Sequence, residues 1–200
     1  MARIGLSKPY AALYANSGGS VSYTSGALVG KAVSLEISLE DGGNNILYAD
    51  NAPAESDPSF AGGSLAVGTD DLSAAVMKSF LGMYEESIVT TGFTNFTTVS
   101  PKWYKNNDSQ VVPYLGFGAI AKKMVGGVIK YVAIVFRKIQ FSNLTQSLET
   151  QGETISWQTE TINAQILRDD SSTHDWRWMS SDMDSESDAE QVLKAALDII

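Results

Sequence analysis

The sequence predicts a mainly β protein: an antiparallel β-sandwich or small barrel, with one packed helix near residues 70–81 and a C-terminal helix near 187–199. Three observations carry this reading. Lys31 to Glu40 alternate between apolar and polar residues, the period of a half-buried strand. Val112 to Val125 and Val128 to Phe141 are β-branched and aromatic runs joined by Gly126-Gly127, the strongest hairpin signal in the chain. Only 18% of the 200 residues are charged and 17 are glycine, a composition of strands and turns more than of long solvated helices.

Residues 1–30 are rich in Gly, Ser, Tyr and Ala, with Ser17-Gly18-Gly19-Ser20 and Ser25-Gly26 as breakers; they read as an extended arm holding one or two short strands. In the strand that follows, Val33, Leu35, Ile37 and Leu39 share one face. Ser34, Glu36, Ser38 and Glu40 share the other, which should be wet. Asp41-Gly42-Gly43-Asn44-Asn45 is a turn by composition, and Ile46 to Ala49 is a short strand candidate. Asn51 to Phe60 carries Pro53 and Pro58 and reads as loop, making 41–62 one long connection. Leu65 to Gly68, a short strand, runs into a helix signal: Thr69-Asp70-Asp71 as cap, Leu72, Val76 and Phe80 one turn apart, and Gly82 as terminator. Residues 84–110 show no firm period.

In the hairpin, a two-residue turn sets Val125 opposite Val128 and therefore Lys123 opposite Lys130. Like charges so placed are unfavourable unless an acid from elsewhere sits between them. Glu153 to Leu167, with Trp157 inside it, is a further long strand candidate, and Trp176 and Trp178 mark a short one. Ser187-Asp188-Ala189-Glu190 reads as a capping box, followed by the apolar stripe Ala189, Val192, Leu193, Ala196 and Ile200. There is no internal repeat, and 44% apolar residues suffice for one core, so 1–200 reads as a single domain with an N-terminal arm, a long loop and an acidic C-terminal segment, 168–200.

Fourteen basic and 23 acidic residues give a net charge of −9, a balance that does not hold nucleic acid through neutralised phosphates. Residues 168–200 carry nine of the acids against three bases, whereas between Asp108 and Glu149 stand only bases: Lys122, Lys123, Lys130, Arg137 and Lys138. The absence of cysteine excludes disulfide and thiolate chemistry. A single histidine, His174, disfavours a His-rich metal site or a Ser-His-Asp triad. Tyr131 to Phe136 is too short to span a bilayer and Pro9 to Ala15 too short for a secretory core, so a soluble protein of a reducing compartment is expected.

The motif candidates are weak. Gly26-Ala27-Leu28-Val29-Gly30-Lys31-Ala32 departs from a phosphate loop in spacing, in Ala32 and in the strand that follows. Asp182, Asp184, Glu186 and Asp188 are spaced like calcium ligands but lack the loop's glycine and terminal Glu. Ser171, Ser172, Thr173 and Asp175 surround His174 without a nucleophile elbow, and no acid pair is marked out for glycoside hydrolysis. Asn95-Phe96-Thr97 and Asn143-Leu144-Thr145 match the glycosylation pattern at a chance level. Trp157, Trp176 and Trp178 could form a sugar platform, although packing is the commoner use of such residues. The expectation is no catalytic, cofactor-binding or metal-binding residue, and a function carried by surfaces.

Met1-Ala2-Arg3-Ile4-Gly5-Leu6-Ser7-Lys8-Pro9-Tyr10, Leu28-Val29-Gly30-Lys31-Ala32 with the strand after it, and Asn45-Ile46-Leu47-Tyr48-Ala49-Asp50-Asn51 form an ordered series with Gly68-Thr69-Asp70-Asp71-Leu72 and Tyr114-Leu115-Gly116-Phe117-Gly118. This series resembles the major tail (tail tube) proteins of siphophages infecting Gram-positive bacteria. It runs over most of the chain, is weakest in 84–110, and rests on the number and order of its pieces.

The resemblance implies a structural virion protein, not an enzyme, with a β-sandwich and flanking helix. Its copies would close into hexameric rings and stack, in the host cytoplasm, into the phage tail tube. DNA and the tape measure protein would pass through the lumen, without specific DNA binding, and tail terminator and distal tail proteins would be further partners. Neither cofactor nor membrane is implied. In that frame Ser34, Glu36, Ser38 and Glu40 are lumen-lining candidates. The 41–62 connection would reach the next ring through Tyr48, Asp50, Asn51 and Phe60, with 84–110 as its rival. Lys122, Lys123 and Lys130 would meet acids of another segment or subunit, Asp169 and Asp170 among them. The alternative is a β-sandwich carbohydrate-binding module using the tryptophans; a β-sandwich hydrolase stands third.

Overall fold

The structure, a computed structural model, describes residues 2–41, 45–49, 52–57, 60–87, 102–151 and 157–199. The chain runs β1 (Ala2–Ser17), β2 (Ser20–Leu28), β3 (Ala32–Asp41), β4 (Asn45–Ala49), β5 (Ala52–Asp57), β6 (Phe60–Thr69), α1 (Ala74–Ser79), β7 (Tyr84–Ser87) and β8 (Lys102–Lys105). It continues through β9 (Tyr114–Val125), β10 (Val128–Thr145), β11 (Glu160–Leu167), β12 (Arg177–Met179) and α2 (Glu186–Ala196). Eight strands form one antiparallel sheet in the order β2-β1-β9-β10-β11-β6-β3, with β12 beside β10; β4–β5 and β7–β8 are separate two-stranded ribbons.

The mainly β reading and both helices hold, but the sheet is not a closed barrel: among the described residues β2 and β3 each have one partner strand and end the path. They are nevertheless joined by residues 29–31 alone, a link spanning about 14 Å at most. The sheet must therefore curl until its ends approach, and inside the curl lies the main core. Ala11, Phe117, Ile134 and Phe136 come from one half, Leu65, Val67, Ile162 and Ile166 from the other, and Val76 and Phe80 from α1. A smaller cluster on the outer face packs Ala12, Tyr23, Ala133 and Val135 under Leu193 and Leu197.

Several expectations change. Residues 2–28 are not an arm but a hairpin whose first strand lies inside the sheet between β2 and β9. Gly18 and Gly19, both at positive φ, turn it, and the small Ala11 and Ala12 let β1 carry core on both faces. The 41–62 connection contains the β4–β5 hairpin and the start of β6. Within 84–110, β7 pairs with β8. α1 begins four residues later than expected, because Asp70 turns to accept the Lys31 N–H (2.7 Å) and Ser73 is the cap that accepts from Val76 N–H. Its stripe Leu72, Val76, Phe80 is buried and Gly82, at φ +68°, ends it.

In α2 the cap is Ser185 rather than Ser187, accepting from the Asp188 N–H at 3.0 Å. Ala189, Leu193 and Leu197 are fully buried while Val192 is 45% exposed, and Ile200 lies outside the described residues. β11 starts at Glu160, so Trp157 precedes it and is 85% exposed. The β9–β10 hairpin follows its turn arithmetic: Val125 faces Val128 and Lys123 faces Lys130, around Gly126 and Gly127 at φ +57° and +83°.

Candidate functional site

Antiparallel pairing puts side chains of facing residues on one side of a sheet, so the register extends the wet face of β3 across its neighbours. Ser34, Glu36, Ser38 and Glu40 face Gly68, Ala66, Ser64 and Gly62 of β6, and β6 in turn sets Thr161, Asn163 and Gln165 of β11 on the same side. Three adjacent strands thus present hydroxyls, amides, glycines and two carboxylates, with no basic side chain at any of these positions. All four β3 residues are exposed. At Gly68 a Cβ would stand 2.3 Å from the Ser34 hydroxyl, which would have to turn away. Glu36 and Glu40 form no ion pair among the described residues.

Ser64, Thr161, Asn163 and Gln165 escaped the sequence reading. The signal was present in β11, where Thr161, Asn163 and Gln165 alternate with buried Ile162, Ala164 and Ile166. It was lost in the longer strand candidate Glu153 to Leu167, which includes Trp157.

Four of the five basic residues of the middle segment are paired within the chain. Lys123 lies 2.5 Å from Asp182, and Lys130 pairs with Asp184. The facing lysines are thereby separated by acids of the C-terminal segment. Asp169 and Asp170 take other partners: the Arg137 guanidinium at 3.2 Å and the Lys138 ammonium at 2.7 Å. Lys122 forms no ion pair among the described residues. Burial works against the Asp169 carboxylate, but the Ser171 hydroxyl and N–H and Arg137 outweigh it and hold the group below the usual range. The Lys138 ammonium and the Tyr14 hydroxyl do the same for Asp170. Tyr14 is pushed up to about 12, by burial first and then by its bond to Asp170.

The remaining candidates are placed as follows. Phe60 is no outward anchor: it is half-buried and stacks on Trp176 with ring centroids 4.4 Å apart. Tyr48 lies in β4, and Asp50 and Asn51 fall outside the described residues. Trp178 lies under the Arg137 guanidinium at 3.8 Å and donates to Asp175, so Trp176 and Trp178 serve separate partners rather than one platform. The acidic run is divided among contacts: Asp182 and Asp184 on lysines, Glu186 on the Ser7 hydroxyl and Asp188 in the first turn of α2. Among the described residues no three His, Cys, Asp or Glu side chains are grouped to hold a metal ion. Gly26 and Gly30 serve packing, since Cβ atoms there would stand 2.3 Å from Ile199 and 2.5 Å from the Asp71 carbonyl.

A cleft of about 470 Å³ between α1, β8 and the end of β10 is walled by Met77, Leu81, Met83 and Phe141, with Tyr104 and Gln110 at its polar side; among the described residues no carboxylate, histidine or lysine lines it. No protein-family model matches this chain, and no curated protein matches it.

Proposed function

We propose that this chain is a structural subunit of a phage tail tube, in which copies close into hexameric rings that stack into a conduit, with the outer face of β3, β6 and β11 turned to the lumen. The observation that carries the reading is that three-strand wall, polar and free of cations. A duplex sliding past hydroxyls and amides finds no phosphate-neutralising partner, and Glu36 and Glu40 repel it. Two further features support it. Four of the five bases in the middle of the chain, Lys123, Lys130, Arg137 and Lys138, are paired with C-terminal acids, which weakens any competing DNA site there. Among the described residues the end strands β2 and β3 each have one partner strand, which leaves backbone edges suited to pairing with another copy. The tape measure, tail terminator and distal tail proteins are the partners proposed with it, and the virion tail its location.

Negative-stain electron microscopy over a range of protein concentrations, with and without a tail initiator complex, tests the assembly. Rings or hollow tubes are expected, and a monomer under both conditions refutes it. Glu36→Lys with Glu40→Lys should slow DNA ejection, and unchanged kinetics would remove these strands from the lumen. Deleting the tip of the 41–62 connection should leave rings without tubes.

A further inference from the structure

We propose that residues 177–199, β12 with α2, form a detachable strap that carboxylates fasten to the sheet and that leaves as a unit when those carboxylates are protonated or screened. The proposal is independent of the tail-tube reading.

The strap touches four strands, chiefly through acids. Against β1, Glu186 accepts from the Ser7 hydroxyl at 2.5 Å, and Glu190 accepts from the Tyr10 hydroxyl at 2.6 Å and meets Lys8 at 3.3 Å. Against β2, Asp198 accepts the Tyr23 N–H at 2.8 Å. Against β9 and β10, Asp182 holds Lys123 and Asp184 holds Lys130.

The neutral fastenings are a three-residue strand pairing, a backbone bridge between Tyr131 and Met183, the Ser180 N–H and hydroxyl on the carbonyl and N–H of Ala133, and the apolar face Ala189, Leu193, Leu197 with Ile199 against Gly26. Further charged groups at this interface are Arg137, whose guanidinium lies over Trp178, Asp175, which accepts from the Trp178 indole N–H at 2.9 Å, and the strap's own Arg177, over the Trp176 ring, and Lys194, 3.1 Å from Glu190. Beneath the strap are Ala12, Tyr23, Ala133 and Val135, and none of the strap's residues belongs to the cluster inside the curled sheet. The sheet and its main core can therefore persist without it. Its departure bares that apolar face and returns Lys123 and Lys130 to an unscreened like-charge pair.

The root of the strap is fixed differently: Asp169 on Arg137 is buried, and Trp176 stacks on Phe60. The Tyr10 hydroxyl chiefly, with burial opposing and Lys194 and Lys8 assisting, holds Glu190 at about 2 against an ordinary 4.5. Its contact is therefore complete above pH 4.5 and is lost as pH falls toward 2.

Hydrogen exchange read by mass spectrometry on the full chain, corrected for intrinsic rates, tests this at neutral pH, at about pH 3, and at neutral pH in about 1 M NaCl. Acid and salt should each lower protection in residues 186–196 at least about tenfold while β9 and the second half of β10, which pairs with β11, keep theirs. Loss of protection in strap and sheet together, or in neither, overturns the proposal. Glu190→Gln should weaken α2 protection at neutral pH and flatten its acid dependence; exchange like the parent across the pH range also overturns it.

Discussion

Removing the Asp169 carboxylate should destabilise the protein by about 3–5 kcal/mol, because it strands a buried guanidinium. In the Arg137–Asp169 pair the side chains are only 8% and 0% exposed, at 3.2 Å. Asp169→Ala leaves Arg137 charged with no carboxylate, and it also strips acceptors from the Ser171 N–H (3.1 Å) and hydroxyl (2.6 Å). Each lost bond adds about 1 kcal/mol. The faces of Trp178 and Tyr23, 3.8 and 5.2 Å from the guanidinium carbon, remain and offset about 0.5–2 kcal/mol of this, so the loss stays at or above about 3 kcal/mol.

Replacing both partners, Arg137→Met with Asp169→Leu, removes the uncompensated charge and should recover most of the loss. Equilibrium urea unfolding followed by circular dichroism reads both, provided the slope m stays constant. An Asp169→Ala variant within about 1 kcal/mol of the parent would refute the reasoning, and so would a double variant as unstable as the single. The carboxylate is held below its usual range, so this stabilisation is present at neutral pH and declines as acid protonates the group.

Three further predictions test other parts of the fold. Leu193→Ala should cost about 2–5 kcal/mol in the same unfolding assay and Val192→Ala less than about 0.5, since one is fully buried and the other 45% exposed; equal costs would mean that α2 packs by a different face. Gly127→Val, placing a β-branched residue at φ +83°, should destabilise by about 1–2 kcal/mol, whereas Gly126→Asn suits its type I′ position and should be nearly neutral. A carboxyl NMR titration should find Glu190 near 2 and Tyr10→Phe should raise it; a parent value near 4.5 would contradict the Tyr10 contact.

Legibility followed range. The polar face of β3, the α1 stripe and the register of the β9–β10 turn were all readable, because each depends on residues a few positions apart, whereas Val33 and Leu39 on the apolar face of β3 are exposed. Helix starts were misplaced by two to four residues, since Asp70 and Ser187 look like caps in isolation while Lys31 claims the first and Ser185 serves α2. Half of the candidate site was legible in the same sense. The four β3 residues announced a wet face, but nothing local says that β6 and β11 continue it.

By itself the sequence determined a mainly β chain with two helices, the hairpin around Gly126-Gly127 with its facing lysines, and an excess of acid in the last thirty-three residues. It also left those lysines needing a partner. Only the tertiary structure decided that the partners are Asp182 and Asp184, that the Gly-rich first thirty residues supply an interior strand, and that Phe60 turns inward onto Trp176. The physical reason is that these facts depend on which strands become neighbours. Lys130 and Asp184 are 54 residues apart, and Tyr10 and Glu190 are 180. No local period encodes such pairs; they exist because burying the two clusters fixes the order of the sheet and brings the C-terminal acids down onto the bases.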